Sequence, residues 1–271
     1  MVLLEKELKI ASLIFAAGRG SRMKGFNGNK TLLPLVPAGS HYEGTHPILL
    51  QILNSLPSGP KALVVNYKKE DVIKATHNLS LTYCEQPELN GTGGALIAAG
   101  RFLENMDCSQ LIITMGDVPF VSRTTYLELL KKLEQSNLVV LGFCPESKKR
   151  YGVLKIKGRQ VQKIIEWKYW STYPEEKRQG FQVCNSGIYA AKREVLLKYM
   201  SLLASRPHKI NKKINGQLRE VEEFYITDIV KYMCDDGLSI GYEIIGEEDV
   251  IGIDDLPSLI TAQKYFAVKY L

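Results

Sequence analysis

Two glycines and two cations stand together near the start of the chain. Gly18-Arg19-Gly20-Ser21-Arg22 follows directly on the apolar run Ile10 to Ala16, and Lys30 comes shortly after. Glycines let a backbone approach phosphate oxygens and turn its N–H groups towards them. Arg22 adds a bidentate phosphate donor, and Lys30 a movable point charge for the same anion. A turn with no ligand would not need both cations. A dinucleotide-binding GxGxxG would need Gly or Ala where Met23 stands and a helix starting there, but Lys24 to Asn29 (KGFNGN) is hostile to helix; the GKS or GKT of a P-loop is absent. Asp117 closes a second apolar run, Gln110 to Met115, and Asp254 follows Val250 to Ile253. An acid at such a place is either a turn or helix-cap residue or a hard oxygen ligand. Asp254-Asp255-Leu256-Pro257 also reads as a helix start.

The elements that must position these groups alternate. Ile10 to Ala16, Ala62 to Asn66, Ser80 to Glu85 and Gln110 to Met115 read as buried strands, with helices at Lys69 to Thr76, Gly93 to Leu103 and Ser122 to about Gln135. A helix is expected to open at Thr45-His46-Pro47, after a small insertion at 38–45. The pattern predicts an α/β, Rossmann-like, mainly parallel sheet flanked by helices, with ligands at the carboxyl ends of its strands. From about residue 137 strands dominate: 138–144, 151–156, 159–166, 181–190, 238–245 and 250–253. Helices are expected at Ile226 to Cys234 and from Leu256 to the end. Residues 167–180 and 205–223 are polar and take no clear assignment. One domain over 1–271 is expected: one continuous sheet, its first half running to about 136 and extended by a smaller substrate-facing half beyond.

Composition narrows the function classes. Of 271 residues, 45% are hydrophobic and 24% charged, enough for a sizeable core. No apolar run approaches the roughly 18 residues that span a bilayer, and Met1 to Lys9 lacks the apolar stretch of a signal peptide. The expectation is a cytoplasmic protein with no membrane partner. Five scattered cysteines fit reduced thiols, and the four histidines have no zinc-site spacing. The net charge of +6 is spread along the chain, with a denser patch at Lys209, Lys212, Lys213 and Arg219. That patch is either a solvated loop or an anion contact. Without basic–aromatic interleaving, no nucleic-acid partner is expected.

These blocks resemble the sugar-phosphate nucleotidyltransferases, and among them the uridylyltransferase domain of bacterial N-acetylglucosamine-1-phosphate uridylyltransferases. Ala16 to Met23 is similar to LAAGxGxRM, Gln86 to Gly93 to the QxxxxGTG nucleobase loop, and Met115 to Pro119 to YGDVP. Tyr151-Gly152, Ile165-Glu166-Trp167-Lys168, Asn185-Ser186-Gly187-Ile188 and Phe224 to Asp228 resemble the YG, VE-K, NTGI and YYITD segments, and Gly252-Ile253-Asp254 the closing GVN. The order is kept along almost the whole chain. The resemblance implies a nucleotide-diphospho-sugar transferase fold. It also implies Mg²⁺ on Asp117 and Asp254, with Arg22, Lys30 and Asp117 catalytic. The nucleotide would meet Phe15, Ala16, Ala17, Gly18, Gly20, Gln86, Gly91, Thr92, Met115 and Gly116; the sugar would meet Gly152, Glu166 and Asn185. Asp254 replaces the family's usual Asn and Met115 its usual Tyr. The implied partners are a nucleoside triphosphate, UTP first, and a sugar 1-phosphate such as N-acetylglucosamine 1-phosphate. Cytidylyl transfer to another phosphorylated sugar, polyol or aminoalcohol is the second enzyme reading, since Gln86 suits either pyrimidine. A non-catalytic nucleotide-sugar sensor is the reading from another class. Trp167, Tyr169, Trp170 and Tyr173 form either an aromatic wall for the sugar or core. No hexapeptide repeats are present, so the C-terminal β-helix of bifunctional relatives is not expected.

Overall fold

The strand β1 (Ile10–Phe15) is buried along its whole length because it separates two cores. Ile10 and Ile14 enter one core; Ala11, Leu13 and Phe15 enter the other. This computed structural model describes residues 9–214 and 217–271, with the side chains of 213 and 214 outside the description. The N-terminal stretch, residues 1–8, on which the signal-peptide expectation fell, and the Lys213 side chain of the basic patch therefore lie outside the described residues.

After β1 come a hairpin, β2 (Pro34–Ala38) and β3 (Ser40–Pro47), then α1 (Ile48–Ser55) and β4 (Lys61–Val65). Next are α2 (Lys69–Thr76), β5 (Leu81–Glu85), α3 (Thr92–Ala98), α4 (Gly100–Asn105), β6 (Gln110–Met115) and α5 (Arg123–Lys132). The second half holds β7 (Leu138–Phe143), β8 (Val153–Lys157), β9 (Gln160–Ile165), α6 (Trp167–Trp170), α7 (Glu175–Gln179), β10 (Cys184–Lys192) and α8 (Arg193–Ala204). It closes with β11 (His208–Ile214), β12 (Gln217–Glu223), α9 (Thr227–Asp235), β13 (Ile240–Ile245) and α10 (Leu256–Tyr270).

Among the described residues one nine-stranded sheet takes strands from both halves, in the order β13-β7-β10-β6-β1-β4-β5, with β8 and β9 joined through β10. Along that path β10 alone runs against its neighbours. The chain moves outward from β1 to β4 and β5, then crosses back to lay β6 on the other side of β1. That reversal opens a crevice at the carboxyl ends of β1 and β6, the ligand position of such sheets. Gly116 lets the two ends close up: its N–H donates to Phe15 O at 2.9 Å, and a Cβ there would stand 2.7 Å from the same oxygen.

Several boundaries differ from the sequence reading. Residues 38–45 belong to the β2–β3 hairpin, and α1 starts at Ile48 with Pro47 just outside it. Gln263 of α10 holds this hairpin through Pro34 O and His41 O, each at 2.9 Å, a tertiary contact that local propensity does not contain. The helix expected over 93–103 is broken at Ala99. No strand forms at 250–253: a 3-10 turn covers Glu247–Val250, and the next residues run irregularly along Asp117. The unassigned segments become α6 and α7, and the β11–β12 hairpin. Among the described residues the five thiols are unpaired, with Cys84, Cys108 and Cys184 buried.

Candidate active site

Asn29 organises the turn that presents Lys30. It is buried, its Nδ2 donates to Tyr67 O at 2.8 Å and Ala16 O at 3.3 Å, and its Oδ1 accepts from Thr31 N and Oγ1. Lys30 thus leaves a fixed point, its stem packed beside Gly20. Its ammonium reaches Asp117 Oδ2 and, at 3.2 Å, Asp254 Oδ1. Arg22 Nη2 holds the same Asp254 oxygen at 2.8 Å.

Asp254 is far from Asp117 in sequence but is delivered by two local devices. Ile253, fully buried, donates its N–H to Asp117 O at 3.0 Å. Asp255 and Ser258 form a capping box that starts α10 immediately beyond. Burial works against the Lys30 ammonium, but Asp117 and Asp254 outweigh it and hold its pKa above the ordinary lysine value. The four charges form one alternating cluster at the end of β1 and β6. Two carboxylates gathered round one ammonium also suit a small hard cation, and Mg²⁺ is usually held by one or two carboxylates plus substrate phosphates rather than by a full protein cage. No group of three or more His, Cys, Asp or Glu with metal-site geometry occurs among the described residues.

Beside this cluster lies a cleft of about 310 Å³. Phe15, Ala17, Gly18, Gln86, Gly91, Thr92, Met115 and Gly116 line it with Lys30 and Asp117. Four residues expected at the nucleotide and metal site do not line it. Ala16 is buried with its N–H on Val64 O, Gly20 backs Lys30, and Arg22 and Asp254 pair with each other outside the lining. Gln86 is buried and spends Nε2 on Gly91 O at 3.1 Å and Asn90 Oδ1 at 3.0 Å. A carbonyl such as Gly91 O only accepts, so this amide is fixed with Nε2 inward.

The three expected sugar residues meet at Gly152. Asn185 N donates to Gly152 O at 2.8 Å, and a Cβ on Gly152 would approach Glu166 Oε2 to 3.7 Å. Glu166 accepts from Thr227 Oγ1 at 2.7 Å and faces a second cavity of about 410 Å³. Asn185 is partly spent: Nδ2 donates to Tyr189 OH at 2.8 Å, and Oδ1 accepts from Gly187 N at 3.1 Å. The aromatic cluster divides. Trp170 is core, its Nε1 donating to Tyr151 O, whereas Tyr169 and Tyr173 line the second cavity. Trp167 stacks under Arg150.

Residues not foreseen are Arg19, Thr31, Leu89, Ala95 and Glu223 at the cleft, and Thr227 beside Glu166. Arg19 and Thr227 stand inside the LAAGxGxRM and YYITD blocks, so a signal existed for them. Glu223 arrives only through the β11–β12 hairpin, which the polar sequence of 205–223 does not announce.

A glycine turn after β1, a carboxylate after β6 and a second half that adds its strands to the same sheet define a nucleotide-diphospho-sugar transferase fold, the frame of nucleotidyltransferases of the sugar-phosphate type. Residues 12–176 match the MobA-like NTP transferase domain, and the chain belongs to that family. It is 28% identical over 264 residues to the bifunctional protein GlmU of Ruegeria sp. and 30% identical over 264 residues to that of Roseobacter denitrificans, covering 96% of this chain and 53% of each relative. The chain thus spans about half the length of the curated relatives it matches. Its fold matches the uridine diphosphate N-acetylglucosamine pyrophosphorylase of Trypanosoma brucei with a TM-score of 0.73 at 11% identity, over 96% of this chain and 66% of that one. HddC of Yersinia pseudotuberculosis matches with a TM-score of 0.63 at 18% identity, over 94% and 99%. No described helix is long and apolar enough to cross a membrane.

Proposed function

We propose that this chain transfers a uridylyl group from UTP to a sugar 1-phosphate, with N-acetylglucosamine 1-phosphate the first candidate, and releases pyrophosphate. The observation that carries the reading is the convergence of Asp117 and Asp254 on Lys30 beside the glycine turn. An oxygen of the sugar phosphate attacks the α-phosphorus; the new P–O bond forms as the bond to the β-phosphate oxygen breaks. The nucleophile is already an anion, so no strong general base is required, and catalysis rests on positioning and charge. Asp117 and Asp254 are the residues that would hold Mg²⁺. Bound there, Mg²⁺ supplies neutralisation of phosphate charge. Arg22 and Lys30, gathered at the same point, are the cations that neutralise the departing pyrophosphate. The glycine turn lets the phosphates approach the backbone.

Gln86 favours uracil or thymine over cytosine. With Nε2 committed to Gly91 O, the amide offers the base its oxygen, an acceptor for the N3–H that uracil has and cytosine lacks. Glu166, with one oxygen on Thr227 and the other towards Gly152, is an acceptor for sugar hydroxyls. The name of the Trypanosoma neighbour, a uridine diphosphate N-acetylglucosamine pyrophosphorylase, supports an N-acetylglucosamine phosphate. A crossed screen of UTP, CTP, dTTP, ATP and GTP against sugar 1-phosphates, read by pyrophosphate formation with Mg²⁺, tests this. UTP with N-acetylglucosamine 1-phosphate should give the highest kcat/KM. Preference for CTP would overturn the base assignment, and no pyrophosphate from any pair would favour a sensor.

A further inference from the structure

We propose that Lys212, on the β11–β12 hairpin, is a further phosphate-binding residue, which works with Arg19 on the terminal phosphates of the triphosphate. The proposal rests on the nucleotidyl-transfer reading and adds a residue from outside its recognised blocks.

The hairpin lies on the body of the protein by one face. Along β11, His208, Ile210 and Lys212 are half-buried while Lys209 and Asn211 are exposed; along β12, Val221 and Glu223 are half-buried while Glu220 and Glu222 are exposed. Strand alternation puts such residues on opposite faces, and the register pairs His208 with Glu223 and Ile210 with Val221 on the inner one, while Lys212 pairs with Arg219, which is exposed. The base of the hairpin is clamped to the nucleotide loop. Phe224 N donates to Asn90 O and Gly93 N to Phe224 O, each at 2.8 Å, and a Cβ on Gly91 would stand 2.4 Å from Phe224 O.

The inner face therefore meets the nucleotide cleft at a fixed place. Glu223 lines that cleft and pairs with Lys212. Burial pushes the Glu223 pKa up, but Lys212, Tyr225 and Lys168 outweigh it, so the carboxyl stays below its ordinary value and charged. Lys212 in turn lines an adjoining groove with Arg19 and Ser21 of the glycine turn and Glu88 of the nucleobase loop. Arg19 lines both spaces, and no acidic partner for it occurs among the described residues. An ammonium has three donors. Lys212 can keep Glu223 and still donate to an anion lying along Gly18 to Ser21, which is where a triphosphate bound at the cleft sends its outer phosphates. Lys209, on the other face, pairs with Glu220 and lines neither space.

Calorimetric titration of the whole chain with UTP and with UMP, in the presence of Mg²⁺, tests this in Lys212→Gln, Lys212→Arg and Lys209→Gln. Losing one charge-assisted phosphate contact should weaken UTP binding by about tenfold or more in Lys212→Gln. UMP binding should be unchanged, Lys212→Arg should keep most of the affinity, and Lys209→Gln should match wild type. If Lys212→Gln melts early, Lys212→Met, which keeps the aliphatic stem, repeats the measurement. Wild-type UTP affinity in Lys212→Gln and Lys212→Met, or an equal loss for UTP and UMP in them, would overturn the proposal and leave Lys212 as a support for Glu223. Failure of the wild-type chain to bind UTP would overturn the nucleotide reading itself.

Discussion

A single ammonium arranges the centre of the site. Lys30 is mostly buried, with 12% of its side chain exposed, and stands between Asp117 and Asp254. Removing the charge in Lys30→Met would leave two carboxylates facing each other across a half-buried gap. Breaking a fully buried pair costs about 3–5 kcal/mol and an exposed one about 0–1 kcal/mol, so a loss of about 2 kcal/mol is expected here. Millimolar Mg²⁺ should return part of that stability to the variant and change the wild type less, read as melting temperatures in EDTA and in Mg²⁺. A melting temperature unmoved by the substitution would mean that the ion cluster does not hold the site together. At this scale the sequence was most informative. Glycines and cations after β1 and the acid after β6 point to phosphate chemistry by type, and the Asp for Asn exchange at position 254 was visible at once. The Asp254–Arg22 pair was not, because it depends on the Ile253 N–H reaching Asp117 O across the fold.

Elements set the distances between these groups. Gly91 and Gly93 are where the Gln86 to Gly93 loop and the stem of the β11–β12 hairpin share backbone. A Cβ on Gly93 would fall 2.7 Å from the backbone carbon of Phe224, which cannot yield as a flexible side chain would. Gly93→Ala should therefore force the junction apart, costing about 1–3 kcal/mol in denaturant unfolding, as overpacking does. The KM for the triphosphate should rise with it. Unchanged stability and KM would show that the hairpin is not seated on the loop. The central strands were legible because Ile10 to Phe15 and Gln110 to Met115 are continuous apolar runs, buried on both faces. The two hairpins were not. Ser40 to Pro47 and His208 to Glu223 are polar, and their pairing is held by Gln263, Asn90 and Gly93, residues distant in sequence.

The whole molecule is one sheet edge on which distant segments meet. The turn after β1, Lys30, the end of β6 and the start of α10 reach a common point because β6 folds back beside β1 and α10 begins at Asp255. The mainly parallel sheet was legible from strand–helix alternation. The absence of a strand at 250–253 was not, since Val250 to Ile253 is as apolar as a strand and instead buries Val250 and Ile253 while Ile253 N–H meets Asp117 O. The central claim is that this edge performs metal-assisted nucleotidyl transfer, and Asp117 is its pivot. The most direct measurement is pyrophosphate release from UTP and N-acetylglucosamine 1-phosphate by wild type and Asp117→Ala, each with Mg²⁺ and with EDTA, alongside circular dichroism of both. Release should need Mg²⁺ in the wild type and fall by about a thousandfold in Asp117→Ala, in the range seen when a charge-stabilising group is removed, with the same spectrum. Equal Mg²⁺-supported rates in the two proteins would contradict it.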